Sequence, residues 1–141
     1  MEVITQVNQL SFRQNLSNDQ AFIIKLAGNK FDNTVGSDLF AKVESWVMAN
    51  SMMNSKEIPT LIVDMENVGF IDSQGLQKLL SALRLMQSQK SNLLLCSLQP
   101  SVHLVFEISR IDQLFGIFSS FDNCVNYFGF QKQSSSYLLA A

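Results

Sequence analysis

The chain has 141 residues with a formal net charge of -2, and 47% of its residues are apolar and 16% charged. This length fits one domain with one core, and the composition is that of an ordinary globular protein. Acidic and basic residues are interspersed, so there is no basic stripe to neutralise nucleic-acid phosphates, and we expect no nucleic-acid partner.

No apolar run approaches the roughly 20 residues that span a bilayer. The first residues carry an acid and no apolar block, so we expect a cytoplasmic protein without direct membrane insertion.

The first predicted elements are a β-hairpin and a helix. Residues 11–16 and 21–26 read as two strands, with the polar residues 17–20 as the turn between them. Residues 28–29, a glycine and an asparagine, then break the second strand. From Thr34 onward the apolar residues recur at helical spacing, which predicts a helix with Thr34 as its N-cap.

This first helix is expected to end near Asn50, because asparagine and serine are poor interior residues and Pro59 forbids continuation. A loop should follow to about Ile58. Residues 60–63 are a short run of mostly branched apolar residues that ends at Asp64. Such a run is typical of a strand buried on both faces at the centre of a sheet.

The second half of the chain continues with alternating helices and strands. Residues 73–89 predict an amphipathic helix, because one face carries Leu76, Leu79, Leu80, Leu83 and Met86. The later elements are a strand over 92–98, a helix over 100–106, a strand over 116–118 and a helix over 123–128.

This order predicts an α/β fold in a single domain over residues 1–130. The domain is a mixed central β-sheet of about four to six strands with helices packed on it, and it opens with the hairpin. Residues 131–141 are polar at their start and are expected to form a flexible C-terminal tail.

The residues that most often carry chemistry point to neither a metal nor a cofactor. Cys96 and Cys124 lie in separate apolar segments, so we expect two buried thiols rather than a disulfide or a metal pair. The only histidine, His103, is expected on a helix surface. Asp64 and Glu66 follow a strand and can in principle bind a cation, but two loop-facing acids are more often solvated, and we expect no metal.

Most of the phenylalanines are expected to fill the core. Any phenylalanine left exposed near the start of a helix would instead indicate a docking surface. The residues considered are Phe106, Phe115, Phe118, Phe121 and Phe128.

Residues 64–76 link the buried strand to the amphipathic helix. Either Asp72 or Ser73 can cap that helix, and Gly75 would let a partner approach the free N–H groups of its first turn. From the residues alone, this segment is equally well explained as a helix cap with no further role.

The same segment resembles the signature of the STAS domain family, in its anti-sigma factor antagonist form. The resemblance rests on an Asp-Ser-x-Gly-Leu element at 72–76, on the Leu-x-Gly-x-x-Asp region at 26–32, and on the closing third from Leu95 to Phe118. It covers about residues 11–128. Two departures are Gln74, where many relatives carry serine or threonine, and a loop at 29–32 that is one residue longer, which leaves the fit to a kinase open.

The resemblance implies a switch protein that is not an enzyme. It implies phosphorylation of Ser73, and a partner-binding surface that comprises Asp72, Ser73, Gln74, Gly75 and Asp32. The implied partners are an anti-sigma factor serine kinase, which the unphosphorylated form binds, and a cognate serine phosphatase. The sequence does not decide the oligomeric state.

Two alternatives remain open. STAS-like domains also regulate membrane transporters, so the chain can instead be a stand-alone subunit of a transporter or of a lipid-transport ABC complex. An enzyme that uses Ser73 as its nucleophile would need a base, and His103 belongs to a different predicted helix with no oriented acid.

Overall fold

The computed structural model describes residues 5–7, 10–14, 21–53 and 58–127, and the predicted α/β class is confirmed. The strands are β1 (Thr5–Val7), β2 (Leu10–Gln14), β3 (Ala21–Leu26), β4 (Lys30–Phe31), β5 (Thr60–Asp64), β6 (Phe70–Ile71), β7 (Leu93–Cys96) and β8 (Gly116–Phe118). The helices are α1 (Asn33–Met53), α2 (Ser73–Ser88), α3 (Pro100–Ile108) and α4, which covers residues 121–127. The predicted tail at 131–141 lies outside the described residues.

Six of these strands form one mixed sheet in the order β1-β2-β3-β5-β7-β8. The pairs β1–β2 and β2–β3 are antiparallel, and the pairs β3–β5, β5–β7 and β7–β8 are parallel. Parallel neighbours need crossover connections, which α1, α2 and α3 supply. As predicted, β5 lies inside the sheet, and its residues from Leu61 to Asp64 are buried.

The opening hairpin is confirmed as the antiparallel pair of β2 and β3, in which Phe12 lies opposite Ile24. Its predicted turn at 17–20 lies outside the described residues. The additional edge strand β1 was not predicted. Nor was the short parallel pair of β4 and β6, which aligns Lys30 with Phe70 and Phe31 with Ile71.

The first helix differs from its prediction at both ends. It begins at Asn33, and the carboxylate of Asp32 accepts a hydrogen bond from the N–H of Val35 at 3.1 Å. Asp32 is therefore the N-cap, and the assignment of that role to Thr34 was wrong. The helix extends to Met53, beyond the predicted end at Asn50, and residues 54–57 of the predicted loop lie outside the described part of the chain.

The main core lies between one face of the sheet and helices α1, α2 and α3. The predicted apolar faces of α1 and α2 are confirmed, because their residues from Val35 to Val47 and from Leu76 to Met86 pack there, with Leu80 only partly buried. Phe106 and Phe115 lie in this core with ring centroids 5.7 Å apart. Phe128, which was also expected in the core, lies outside the described residues.

A second, smaller cluster lies on the opposite face of the sheet, under α4. It contains Ile23, Ile62, Leu94, Cys96 and Cys124, with Phe118 and Phe121 partly buried against it. Both cysteines are buried and both thiols are free.

Two glycines allow α1, α2 and β4 to pack closely. A Cβ on Gly36 of α1 would lie 2.7 Å from Cβ of Lys78 and 3.4 Å from Cα of Gly75 on α2. A Cβ on Gly75 would overlap the carbonyl oxygen of Phe31 and lie 2.7 Å from its ring atom Cδ1. The start of α2 therefore packs against the backbone of β4, at a distance that only glycine permits.

We predict that Gly75→Ala destabilises the protein by about 1 to 3 kcal/mol, because the new methyl group overpacks against the Phe31 backbone. The direction of the stability change distinguishes a packed position from an exposed one, since the same substitution at an exposed helix position stabilises by about 0.5 to 1 kcal/mol. Urea denaturation gives the free energy of unfolding. Gln74→Ala, at the exposed neighbouring position, is the matched control and should stay within about 0.5 kcal/mol of wild type. A Gly75→Ala protein as stable as the control would contradict the close packing.

Candidate functional site

The candidate site lies at the carboxyl ends of the parallel strands. Three segments meet there: residues 27–32 after β3, residues 65–72 after β5, and residues 97–99 after β7. Strands that run in parallel bring the loops at their carboxyl ends together, which is where open α/β sheets commonly bind their ligands.

The first two segments are joined by backbone hydrogen bonds. The carbonyl oxygen of Asn29 accepts from the N–H groups of Gly69 and Phe70 at 2.8 and 3.2 Å, and its side-chain oxygen accepts from Gly69 at 3.1 Å. The carbonyl oxygen of Phe31 accepts from the N–H of Asp72 at 3.3 Å. Asn29 therefore holds the segment that leads into α2.

Side chains from the third segment and from α3 fix the same loop from the other side. Gln99 donates from Nε2 to the carbonyl oxygen of Glu66 at 2.9 Å. The hydroxyl of Ser101 donates to the carbonyl oxygen of Gly69 at 3.1 Å. The loop before Ser73 is thus held from two directions, so the start of α2 is presented by a fixed support.

The start of α2 separates the roles of Asp72 and Ser73. Asp72 has extended backbone angles, and its Oδ1 accepts from the N–H of Gly75 at 2.8 Å, so Asp72 is the N-cap. Ser73 is the first helical residue, and its side chain is exposed, as is that of Gln74. No hydrogen bond to another described residue engages the Ser73 hydroxyl, so the alternative that Ser73 merely caps the helix was wrong.

Gly75 has a packing role that was not predicted. It is buried, and its own N–H, one of the N–H groups of the first turn, is bonded to Asp72. Its small size is required by the packing of Phe31. A role for Gly75 in partner binding stays a prediction, and any such role is indirect.

Asp32 lies beside this helix start. It caps α1, and it follows Phe31, whose carbonyl oxygen is bonded to the N–H of Asp72. The structure therefore brings Asp32 together with residues 72–75, as a second capping carboxylate at a neighbouring helix N-terminus. The surface around Ser73 consequently carries two acids.

An exposed aromatic side chain lies next to the site. Phe70, the first residue of β6, has 49% of its surface exposed. It was not among the phenylalanines named from the sequence, although the general expectation for an exposed phenylalanine near a helix start fits it. An exposed aromatic ring three residues before the start of α2 is consistent with a docking surface.

The two acids at the end of β5 are not alike. Asp64 is only 4% exposed, which contradicts the expectation that both are solvated, because β5 lies between two neighbouring strands. Oδ1 of Asp64 accepts a hydrogen bond from the N–H of Glu66 at 3.0 Å, and Nζ of Lys25 lies 3.9 Å from Oδ2 of Asp64. Lys25 also donates to Glu66 at 2.7 Å, and this hydrogen bond and the lysine charge lower the pKa of the exposed Glu66 carboxyl.

The described residues contain no cluster of three or more histidine, cysteine, aspartate or glutamate side chains that could hold a metal ion. His103 lies on α3 as predicted, with its Nδ1 3.7 Å from Oε2 of Glu107 on the same helix. No hydrogen bond in the described part of the chain joins it to Ser73. The described residues also contain no helix that is long and apolar enough to cross a membrane.

We predict that Asp72→Ala lowers the free energy of unfolding by about 1 kcal/mol, because the N–H of Gly75 loses its acceptor. Asp72→Asn is the matched control, because asparagine caps helices as well as aspartate does but carries no charge. Thermal or urea unfolding of both variants separates the cap from the charge. If Asp72→Asn were as unstable as Asp72→Ala, the cap would not be the source of the stability.

Solved structures of known proteins share this fold. A putative anti-sigma factor antagonist from Thermotoga maritima is 17% identical, with a TM-score of 0.61 over 75% of this chain and 86% of that one. The phosphorylated form of the Bacillus cell fate determinant SpoIIAA is 17% identical, with a TM-score of 0.60 over 82% of this chain and 97% of that one. A sulfate transporter family protein from Wolinella succinogenes is 18% identical, with a TM-score of 0.67 over 80% and 88%.

These identities are low enough that the similarity concerns the fold, which antagonists and transporter proteins share. No curated protein matches the sequence. The family comparison is more direct, because the STAS domain family matches residues 9–124, which include every strand from β2 to β8 and the whole segment around Ser73. The chain belongs to the STAS domain family.

Proposed function

We propose that this chain is an anti-sigma factor antagonist without enzymatic activity, located in the cytoplasm. In this proposal the unphosphorylated protein binds a kinase-type anti-sigma factor through the surface around Ser73. The kinase phosphorylates Ser73 and thereby ends the contact, and a serine phosphatase restores it. The surface comprises Ser73 and Gln74, the two capping acids Asp32 and Asp72, and the buried Gly75 as support.

The single observation that carries the proposal is the state of the Ser73 hydroxyl. It lies exposed on the first turn of α2, and Asp72 has taken the capping role that would otherwise occupy it. A protein kinase needs a serine hydroxyl that is accessible and not engaged in the fold. The firmly held loop before it keeps this hydroxyl in one place.

The geometry also predicts where the effect of a phosphate would be felt. A phosphoserine carries about -1.5 to -2 charges at neutral pH, and a helix N-terminus ordinarily favours an anion. At this helix, however, the N–H of Gly75 is already bonded to the Asp72 carboxylate. The phosphate would therefore stand beside two existing acids, with one first-turn N–H group fewer to offset its charge, and we expect that charge to act mainly on the partner.

Similarity to known structures supports this assignment. SpoIIAA is described as an anti-sigma factor antagonist in its unphosphorylated form, and it has also been solved in the phosphorylated form. The similarity to the Wolinella sulfate transporter family protein is the observation behind a second candidate function. In that case the chain is a stand-alone subunit that regulates a transporter or a lipid-transport ABC complex, and it purifies with an ATPase subunit rather than with a kinase.

We predict that protein recovered from its native cells carries a phosphate on Ser73. Peptide mass spectrometry with and without phosphatase treatment locates it, and Ser73→Ala should remove it completely. Ser73→Asp should weaken binding of the co-purifying kinase by more than about tenfold, since like charges at an interface cost several kcal/mol.

Gln87→Glu is the charge control for this experiment, because it adds one negative charge at an exposed position near the other end of α2. It should bind as wild type does. Ser73→Asp binding at wild-type strength, or a Ser73 that stays unmodified under varied stresses, would argue against the switch. Stable recovery with an ATPase of a transport complex would instead support the second candidate.

We further predict that Phe70→Ala weakens kinase binding by more than 1 kcal/mol, about fivefold or more, with little change in stability, because half of the ring is already in water. Leu114→Ala is the matched control. Leu114 is 53% exposed but precedes β8, at the amino end of the parallel strands and away from Ser73. Isothermal titration with the kinase measures both variants. Equal losses for the two would mean that Phe70 is not specific to the interface.

A further inference from the structure

The small cluster under α4 contains two thiols that the proposed switch does not use. Cys96 is the last residue of β7, and Cys124 lies on α4. Both side chains are fully buried in the same cluster of five buried residues. They come from separate elements, so a bond between them would tie the helix to the sheet.

The described part of α4 is short, residues 121–127, and it packs on the sheet through the small apolar cluster. The helix starts with bonds to its own neighbours, from the N–H of Cys124 to the carbonyl oxygen of Ser120 at 3.1 Å and from the N–H of Asn123 to the Ser120 hydroxyl at 3.0 Å. Its contacts with the sheet include the rings of Phe118 and Tyr127, with centroids 4.9 Å apart. A short helix held to a sheet by side chains belongs to the elements that open locally before the whole protein unfolds.

The closed cluster protects both thiols from reaction. Burial raises the pKa of Cys96 and of Cys124 to about 12, and the charge of Asp64 adds to both shifts. The two side chains lie in the same small cluster of packed residues. Because the thiolate is the reactive form, oxidation requires α4 to move away and expose the thiols to water.

We propose that Cys96 and Cys124 form a reversible intramolecular disulfide when α4 opens in the presence of a peroxide, and that this bond fastens α4 to β7. The inference concerns the opposite face of the sheet from the main core and does not depend on the function proposed for Ser73.

The chemistry balances with hydrogen peroxide as the oxidant. With α4 open, the Cys124 thiol loses its proton to water and its thiolate attacks one peroxide oxygen; the O–O bond breaks, and the released hydroxide takes up that proton to become water. The Cys96 thiol loses its proton while it is still in contact with water, and its thiolate attacks the sulfenic sulfur of Cys124; the S–O bond breaks, and the leaving hydroxide takes up the Cys96 proton to become a second water. Two thiols and one peroxide thus give one disulfide and two waters, and two electrons pass from sulfur to oxygen.

The test treats the full chain with hydrogen peroxide, followed by intact-mass analysis without reductant. We expect a monomer that has lost two hydrogen atoms and a cross-linked peptide pair that contains Cys96 and Cys124. Low, non-denaturing urea should speed the reaction several-fold, because it favours the open state. The oxidised protein should unfold at a higher urea concentration, and dithiothreitol should reverse both the mass change and the added stability.

The single variants Cys96→Ser and Cys124→Ser should gain oxygen instead of losing hydrogen. Cys96→Ala and Cys124→Ala serve as a second pair, since alanine leaves no unpaired hydroxyl in the buried cluster. Wild type that goes directly to sulfinic or sulfonic acid, that forms only intermolecular dimers, or that keeps both thiols until global unfolding would overturn the proposal.

Discussion

The arrangement of the site depends on the contact between Phe31 and the start of α2. The Phe31 ring is fully buried, its carbonyl oxygen accepts the N–H of Asp72, and its backbone packs against Gly75. One residue thus fixes the position of α2 along its axis and its distance from β4. Asp32 follows directly and begins α1, so the two helix starts and their capping carboxylates share a single point of attachment.

Under the proposed function, this constraint is the reason why we expect a phosphate on Ser73 to leave the domain itself largely unchanged. The loop before Ser73 is bonded to Asn29 on one side and to Gln99 and Ser101 on the other. The groups of this loop that make these hydrogen bonds therefore already have their partners when a charge is added to the Ser73 hydroxyl. Under the proposed function, the free-energy change falls on the partner contact, where unneutralised charge and desolvation oppose binding.

The elements with hydrophobic periodicity over many residues, or with a clear boundary in the sequence, were predictable. The second helix was expected over 73–89 and runs from Ser73 to Ser88, and the strand at 116–118 was placed correctly. The pair of β4 and β6 was missed, because two-residue strands have no periodicity and their pairing joins segments about 40 positions apart. The burial of Asp64 and the close packing of Gly75 were not foreseen for a related reason: each is decided by a neighbour distant in sequence, which local propensity does not contain. The choice of Thr34 instead of Asp32 as the N-cap of α1 was a local error, because both residue types cap helices.

Asp64 connects the two regions of the molecule that we consider functional. In the register of the sheet it lies between Lys25 on β3 and Cys96 on β7. On one side it accepts the N–H of Glu66 and lies near the Lys25 ammonium, so it helps to hold the loop that leads towards Ser73. On the other side, burial is the main cause of the raised pKa of both thiols, and the negative charge of Asp64 adds to it because it disfavours a second negative charge. A buried carboxylate is costly unless it is compensated, and here the compensation from the Lys25 side lets the same group support the loop and keep the thiols protonated in the closed protein.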